Sequence, residues 1–414
     1  MKTGTTAAGK VRGRAPSIHF FQPRDAGVGS FVMHLVSHGS YAKRVNELVC
    51  LDLPLGDAFV NRLKSAWDAG DAIFPLDQRL PSAARAEVLQ AIQPTVIVDA
   101  SGDTRTGGNK VADGDAVVIA TSGTTGAAKG VVLTHHAIHA SAKATSARLG
   151  ITKDDCWFAC LPPSHIGGLS VILRSIIMGT RFITAPSFTV EAYNNAAREG
   201  ATVVSLVSTA MQQVDTSLYR TIVLGGAKAP LHRPTNSVIT YGLTESGSGV
   251  VYNGLPLDEV EIEIRDGVVF LRAPMLLRSY RDGTTPLVNG WLRTGDRGYV
   301  TDDGLLHVEG REGDLIVTGG ENVWPEQVET RLSALTEVRD VCVAGVPDNK
   351  WGHAVHAFVV LEQGASLSIE AVREWVKETL PAYSAPHAVH VVAEIPRTTL
   401  GKPQRNILVS SITN

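Results

Sequence analysis

Ala116-Val117-Val118-Ile119-Ala120, then Thr121-Ser122-Gly123-Thr124-Thr125-Gly126-Ala127-Ala128-Lys129-Gly130, then Val131-Val132-Leu133 is the stretch on which the reading of this chain turns. Residues 116–120 are apolar and β-branched and stop at a cluster of small hydroxylated residues, as a buried strand does. Residues 131–133 resume as a strand, and 135–149 have the Ala-rich, turn-free character of a helix. The loop between the strands lets backbone N–H groups converge on an anion, and its Ser and Thr hydroxyls add donors. Lys129 supplies a point positive charge for a phosphate chain. The loop is not of the Walker A type, because Lys129 follows Gly126 by three positions and no Ser or Thr comes after it.

Outward from this stretch, residues 202–207, 221–224 and 237–241 are further short β-rich runs, the first two joined by a helical-looking segment containing Met211 and Val214. Strands separated by helix-compatible stretches predict a largely parallel sheet with helices packed on it. The character then changes. Residues 260–265 and 268–272 flank Asp266-Gly267, a strong short-hairpin signal, and 299–301 and 305–308 flank another Asp-Gly-containing turn. Beyond Gly310 come strands at 341–346 and 354–361, a helix over 368–380 and a strand over 388–395. About one hundred residues suffice for a small domain with its own core. The predicted fold is therefore α/β. A large N-terminal domain, residues 1–312, has mixed and parallel sheets with helices and a β-subdomain. A small mobile α+β domain follows over 313–414, with a hinge around 311–314.

Composition narrows the function classes. The 414 residues carry a net charge of −3 and are 44% hydrophobic, so the chain is an ordinary globular one without the basic field that unselective nucleic-acid or acidic-membrane binding needs. The apolar run 166–179 is broken by Arg174 and is shorter than the ~20 residues of a bilayer span. The basic N-terminus is not followed by an apolar signal segment. Four sparse cysteines with no C-x-x-C pair fit structural thiols in a reducing cytoplasm.

The sequence 121–130 resembles the phosphate loop of the acyl-adenylate-forming superfamily, which includes acyl-CoA synthetases, peptide-synthetase adenylation domains and luciferases. Four more motifs follow in that superfamily's order: Tyr241-Gly242-Leu243-Thr244-Glu245; Trp291-Leu292-Arg293-Thr294-Gly295-Asp296; Gly310-Arg311 through Gly319-Gly320-Glu321-Asn322; and Pro396 through Gly401-Lys402. The likeness covers roughly residues 63–405, beginning with the run 69–77, and the arm before it looks shortened. The run 165–180, the segment 203–214 and the short chain are similar to compact o-succinylbenzoate–CoA ligases of menaquinone biosynthesis. Ser208, where that subfamily commonly has Pro, and the continuation Ser246-Gly247-Ser248 depart from it.

This resemblance implies a carboxylic acid attacking the α-phosphorus of ATP, giving an acyl-AMP and pyrophosphate, then thiol attack by coenzyme A. Bringing anions together demands fixed positive charge and donors near the phosphates. The resemblance gives that task to Thr121, Ser122, Gly123, Thr124, Thr125, Gly126 and Lys129. It makes Glu245 the Mg²⁺ ligand and Thr244 a donor to the α-phosphate. Asp296 and Arg311 would fix the ribose. Tyr241, with Gly242 beside it, would lie against adenine, and Gly225-Gly226-Ala227 would wall the opposite side. Lys402 would bridge the carboxylate and α-phosphate oxygens as the adenylation catalyst, then leave when the small domain swings about the hinge. Gly313 stands where the family usually has Asp or Lys, and glycine permits the backbone change a hinge requires. His165 reads either as a gate of the acyl pocket or as a loop histidine satisfied by backbone.

The expected substrate is a small aromatic or keto-acid carboxylate, and the thiol acceptor is coenzyme A or a carrier-protein phosphopantetheine. No nucleic-acid or membrane partner is expected, and a homodimer is compatible with the sequence. A non-catalytic adenylate-binding protein is the reading of another class. It is disfavoured because Lys129, Glu245, Asp296 and Lys402 are all present.

Overall fold

The computed structural model describes residues 46–122, 128–226, 233–397 and 403–413, and its first half alternates strand and helix. It begins with β1 (Leu48–Leu51), α1 (Asp57–Asp68), β2 (Ala72–Pro75), α2 (Ser82–Ile92), β3 (Val96–Asp99), β4 (Gly102–Arg105), β5 (Asp115–Ser122), β6 (Ala128–Thr134) and α3 (His135–Arg148). Next come β7 (Cys156–Ala159), α4 (Ile166–Met178), β8 (Arg181–Thr184), α5 (Val190–Arg198), β9 (Val203–Leu206), α6 (Ser208–Met211), β10 (Thr221–Leu224), β11 (Ser237–Leu243) and β12 (Ser248–Tyr252). A run of strands follows: β13 (Leu255–Pro256), β14 (Glu261–Arg265), β15 (Val268–Arg272), β16 (Ser279–Tyr280), β17 (Leu287–Val288), β18 (Trp291–Val300) and β19 (Leu306–Arg311). The last part holds β20 (Ile316–Thr318), β21 (Glu321–Val323), α7 (Pro325–Leu332), β22 (Val338–Asp348), β23 (Gly352–Leu361), α8 (Ile369–Lys377), β24 (Ala388–Val391) and α9 (Arg405–Thr413).

Among the described residues the strands form two seven-stranded and two five-stranded sheets. The seven-stranded sheets have the orders β16-β6-β5-β2-β1-β3-β4 and β13-β12-β11-β10-β9-β7-β8. The mixed and parallel sheets expected of the large domain are present, two of them seven-stranded. Their inner pairs, such as β1–β2 and β9–β10, are parallel. The β5–β6 and β11–β12 pairs are antiparallel, as strands joined by a short loop must be. Helices α3 and α4 pack together beside these sheets, and Ile138, Leu169 and Ile172 share one core with Leu133 of β6 and Trp157 of β7. Thr134 starts α3 by accepting from the Ala137 N–H at 3.1 Å, a side-chain cap of the kind that satisfies an orphan helix donor.

The β14–β15 hairpin follows its expectation closely. Arg265 pairs with Val268, and Asp266 and Gly267 both take positive φ, 51° and 76°, the backbone of a type I′ turn. The helix expected to run through Val214 ends earlier, at Met211, and Asp215 caps a separate short turn over Thr216–Leu218. The strand expected over 388–395 stops at Val391, where its parallel pairing with β23 ends.

Beyond Arg311 a 3-10 turn, Glu312–Asp314, leads into the small five-stranded sheet. Alternation in β22 and β23 sends Val341, Val343, Val355, Ala357 and Val359 to one face, against Val328 and Leu332 of α7 and Val372 and Val376 of α8. Cys342, Ala344, Phe358 and Val360 point to the other face, against Leu408 of α9. Arg405 joins the parts: it pairs with Asp314 at 3.1 Å, Glu326 at 3.2 Å and Glu329 at 2.9 Å.

Two outcomes follow. A Cβ at Gly298 would lie 2.2 Å from the His307 carbonyl oxygen of the neighbouring strand. Gly298→Ala should therefore lower the denaturant midpoint by an amount worth about 1–3 kcal/mol; an unchanged midpoint would show that β18 and β19 can separate freely. Burial, only partly offset by Arg405, pushes Glu326 from its ordinary 4.5 to about 7. A carboxyl raised in the folded state contributes stability that is whole below about pH 4.5 and is lost as the pH rises through about 7. The stability of the native protein relative to Glu326→Gln should fall across that window, and a pH-independent difference would contradict the assignment.

Candidate active site

Strand β11 carries the centre of the site. Its first half pairs in parallel with β10, Ile222 to Ser237 through Leu224 to Ile239. Its second half pairs antiparallel with β12, from Thr240–Tyr252 to Leu243–Ser248. The register slips between Tyr241 and Gly242. There the strands approach so closely that a Cβ on Gly242 would fall 2.2 Å from the Ser248 carbonyl oxygen, so only glycine fits. Gly225 and Gly226 follow β10, and a Cβ on Gly225 would meet Thr240 Oγ1 at 2.9 Å. Functional side chains thus collect beyond the carboxyl ends of parallel strands, the usual place for a ligand in an α/β sheet.

Tyr241 donates its hydroxyl to Asp296 Oδ2 at 2.8 Å, and Arg311 Nε lies 3.7 Å from Asp296 Oδ1. Asp296 is a strand residue. It lies inside β18, next to Gly295 at φ 75°, within a bulge where Val268 pairs with Arg297 and Phe270 with Arg293. The bulge re-aims the strand, and register places Asp296 opposite Arg311 of β19. Burial first, then the negative charge of Asp296, drives the Tyr241 hydroxyl well above the ordinary phenol value, so it remains a donor.

A second cluster begins three residues after Tyr241. Thr244 opens a 3-10 turn, and Glu245 Oε1 accepts from the Tyr280 hydroxyl at 3.1 Å. Lys129 Nζ stands 5.2 Å from the centre of the Tyr280 ring, a cation–π distance. Burial and then Glu245 push Tyr280 up to about 12. Tyr280 therefore couples the phosphate-loop lysine to the expected metal carboxylate, and the sequence reading missed it. Its signal is weak: an aromatic before Arg281-Asp282-Gly283, in a two-residue strand whose pairing of Tyr280 with Val131 puts it beside β6. Thr121 and Lys129 are register partners at the base of the loop, with Thr121 Oγ1 donating to the Lys129 carbonyl at 3.3 Å.

His165 precedes α4, with Nε2 at 3.2 Å from Arg79 Nη2 and 3.6 Å from Asp77 Oδ2. Burial alone would raise Asp77, but its hydrogen bonds from Arg79 outweigh this and hold the carboxyl below its usual value. Gly123, Thr124, Thr125, Gly126, Ala227 and Lys402, the side chain of Ser122 and the N-terminal arm through residue 45 lie outside the described residues. Among the described residues no group of three His, Cys, Asp or Glu side chains forms a metal cage. Mg²⁺ is ordinarily held by one or two carboxylates together with substrate phosphates, and Glu245 fits that mode.

A mixed α/β body with a Tyr–carboxylate pair and a Lys–Tyr–carboxylate cluster at its strand ends, followed by a small α+β domain, is the architecture of an adenylate-forming enzyme. The sequence profile of the AMP-binding enzymes matches residues 108–323, and that of the AMP-binding enzyme C-terminal domain matches 327–402. The chain belongs to the AMP-binding enzyme family. It is 34% identical over 333 residues to a 2-succinylbenzoate–CoA ligase of Bacillus anthracis, across 70% of this chain and 69% of that one. Its fold is similar to that of o-succinylbenzoate CoA synthetase from Bacillus subtilis in complex with its acyl-adenylate intermediate, at TM-score 0.78 and 28% identity, covering 88% of each chain. The same synthetase in complex with ATP and magnesium ion gives a TM-score of 0.77 at 27% identity, covering 88% of this chain and 89% of that one.

Tyr241→Phe should weaken AMP binding about 10-fold by calorimetry, since it removes a hydrogen bond to a charged group that orients Asp296. Unaltered affinity would show that Asp296 is oriented without it.

Proposed function

We propose that this chain is an ATP-dependent acid–CoA ligase. It converts 2-succinylbenzoate to an acyl-adenylate and then to its coenzyme A thioester, the ligase step of menaquinone biosynthesis. The observation that carries the adenylation chemistry is the arrangement along β11. Tyr241 holds the Asp296 carboxylate, and Glu245, four residues after Tyr241, accepts from Tyr280, whose ring faces Lys129. The choice of acid rests on the similarity to the two bacterial ligases.

In this reading Asp296 accepts from the ribose hydroxyls through its two oxygens, and Arg311 balances its charge. Tyr241, fixed by Asp296, offers its ring to adenine, with Gly225 and Gly226 leaving room on the other side. Lys129 and the Thr121–Gly126 loop neutralise the outer phosphates, and Thr244 donates at the α-phosphate. Glu245 holds Mg²⁺, which when bound screens the phosphate charge against which the carboxylate must move. Lys402 stabilises the pentavalent transition state, and His165, steadied by Asp77 and Arg79, borders the acyl group.

The hinge is assigned to residues 311–314, between domains 1–312 and 313–414. A Cβ on Gly313 would meet nothing within 4 Å, and its φ is not positive. Glycine is therefore not required by the conformation seen here, and its freedom serves a second one. A cytoplasmic setting is supported by Cys50, Cys156, Cys160 and Cys342, all buried free thiols. Among the described residues no helix is long and apolar enough to cross a membrane.

The test is pyrophosphate exchange into ATP across a panel of carboxylic acids containing 2-succinylbenzoate, followed by thioester assays with free coenzyme A and a phosphopantetheinyl carrier in parallel. Exchange specific to 2-succinylbenzoate and transfer to free coenzyme A are expected; no exchange with any acid would sink the reading. Lys402→Ala should slow acyl-AMP formation ~10²–10³-fold while sparing thioester formation from supplied acyl-AMP. Equal loss of both steps would remove Lys402 from the adenylation role.

A further inference from the structure

Lys129 and Glu245 carry opposite charges in one site. An ammonium and a carboxylate within reach of each other form a charge-assisted pair, stronger than the contact of either with a neutral group. Among the described residues these two do not pair with each other; each instead meets one phenol. The Tyr280 hydroxyl donates to Glu245 Oε1 at 3.1 Å, and Lys129 Nζ stands 5.2 Å from the Tyr280 ring centre. Asp282, the other acid whose charge meets that of Lys129, is committed to the Thr284 N–H and hydroxyl at 2.9 and 2.6 Å.

Main-chain bonds fix the backbone under the ring from both sides. Ser279 and Tyr280 form β16, antiparallel to β6, with Ser279 opposite Val132 and Tyr280 opposite Val131. Lys129 lies two residues before Val131 on β6, so its side chain leaves on the same face, within diagonal reach of the ring. Flanking β16, the Arg278 N–H donates to the Val132 carbonyl at 3.0 Å and the Arg281 N–H to the Gly130 carbonyl at 2.7 Å. The Leu277 N–H donates to the carbonyl of Glu245 itself at 2.7 Å. Residues 277–281 are thereby bonded both to the strand that carries Lys129 and to the residue that carries the carboxylate. Arg281 pins the far end, donating from its guanidinium to the Ile92 and Lys110 carbonyls at 3.0 and 2.9 Å.

We propose that Tyr280 is a positioning residue that keeps Lys129 and Glu245 from neutralising each other. This rests on the phosphate and metal roles given to those two residues above. A ring face is a weak resting place for an ammonium, and a polyphosphate with full negative charges displaces it. The hydroxyl takes one carboxylate oxygen and leaves the second for a hard cation. Without the phenol the two charges pair directly, and the site loses phosphate and metal affinity together.

The experiment measures ATP and AMP binding to the full chain by calorimetry, first without metal and then with Mn²⁺, with no acid or thiol present. Tyr280→Leu should weaken metal-free ATP about 10-fold and leave AMP, which lacks the outer phosphates, unchanged. Adding Glu245→Gln should then restore ATP affinity, with a gain about 10-fold larger than the same substitution gives in the native chain. General damage to the fold would weaken AMP as well and would not be rescued. Tyr280→Phe, which keeps the ring, should leave metal-free ATP within about twofold. The factor by which Mn²⁺ tightens ATP should fall about 10-fold in that variant. Additive effects of Tyr280→Leu and Glu245→Gln overturn the proposal, as does equal loss of metal-free ATP in the Leu and Phe variants. If Tyr280→Leu does not fold, Tyr280→Phe decides, and an undiminished Mn²⁺ effect overturns the proposal. A native chain that binds no ATP overturns the reading of the whole site as well.

Discussion

Strand β11 changes partner halfway along its length, parallel to β10 and then antiparallel to β12, and the site depends on that change. A strand confined to the parallel sheet would end near Ile239, with a helix to follow. Continuing past the sheet instead, β11 projects Tyr241 beyond its neighbours and turns sharply at Thr244–Ser246. Two glycines make the projection possible. Gly242 and Gly249 meet across the pair with no room for side chains, a Cβ on Gly242 lying 2.7 Å from Gly249 Cα. Tyr241 and Glu245 are thereby held four residues apart, at the end of one strand and in the turn that follows it, which is the kind of support that precise geometry requires.

Electrostatics in the site is organised by two phenols. Tyr241 and Tyr280 each donate to one carboxylate, and each is kept protonated by burial and by the charge it serves. A carboxylate fixed in this way keeps a second oxygen for other partners. Arg311 is half exposed and lies 3.7 Å from Asp296, so its pairing is worth little as stability and the guanidinium is not committed to that contact. The positive charge of Lys129 is likewise placed over a ring face. Among the described residues neither cation is neutralised by a tight salt bridge.

Much of the fold could be read from residue patterns because its strands are short, apolar and punctuated. The Asp266-Gly267 turn, the strand at 221–224 and the helix beginning at His135 owe their form to local chemistry, and local chemistry is what a single sequence displays. The division of the body into two sheets could not be read. It depends on which strands neighbour which, a long-range matter that neither periodicity nor turn residues encode. The same split runs through the site. Tyr241, Glu245 and Asp296 stood out because short motifs carry them. Tyr280 did not, because its importance comes from pairing with Val131, about 150 residues away in sequence. Arg174 was visible only as an interruption in an apolar run; its neighbours Ser248 and Trp157 reach it from other elements.

The small domain shows how a local ion network can tie separate elements together. Arg405, at the first residue of α9, is joined to Asp314 in the turn after β19 and to Glu326 and Glu329 on α7. Its guanidinium is largely buried, and the surrounding acids raise its pKa despite that burial, so it is charged at every working pH. Breaking such a partly buried cluster at one member leaves the others unpaired, which is far more costly than losing an exposed pair. The start of α9, α7 and Asp314 are therefore tied together as one unit. Beside this cluster Gly313 leaves open space, since a Cβ there would meet nothing within 4 Å.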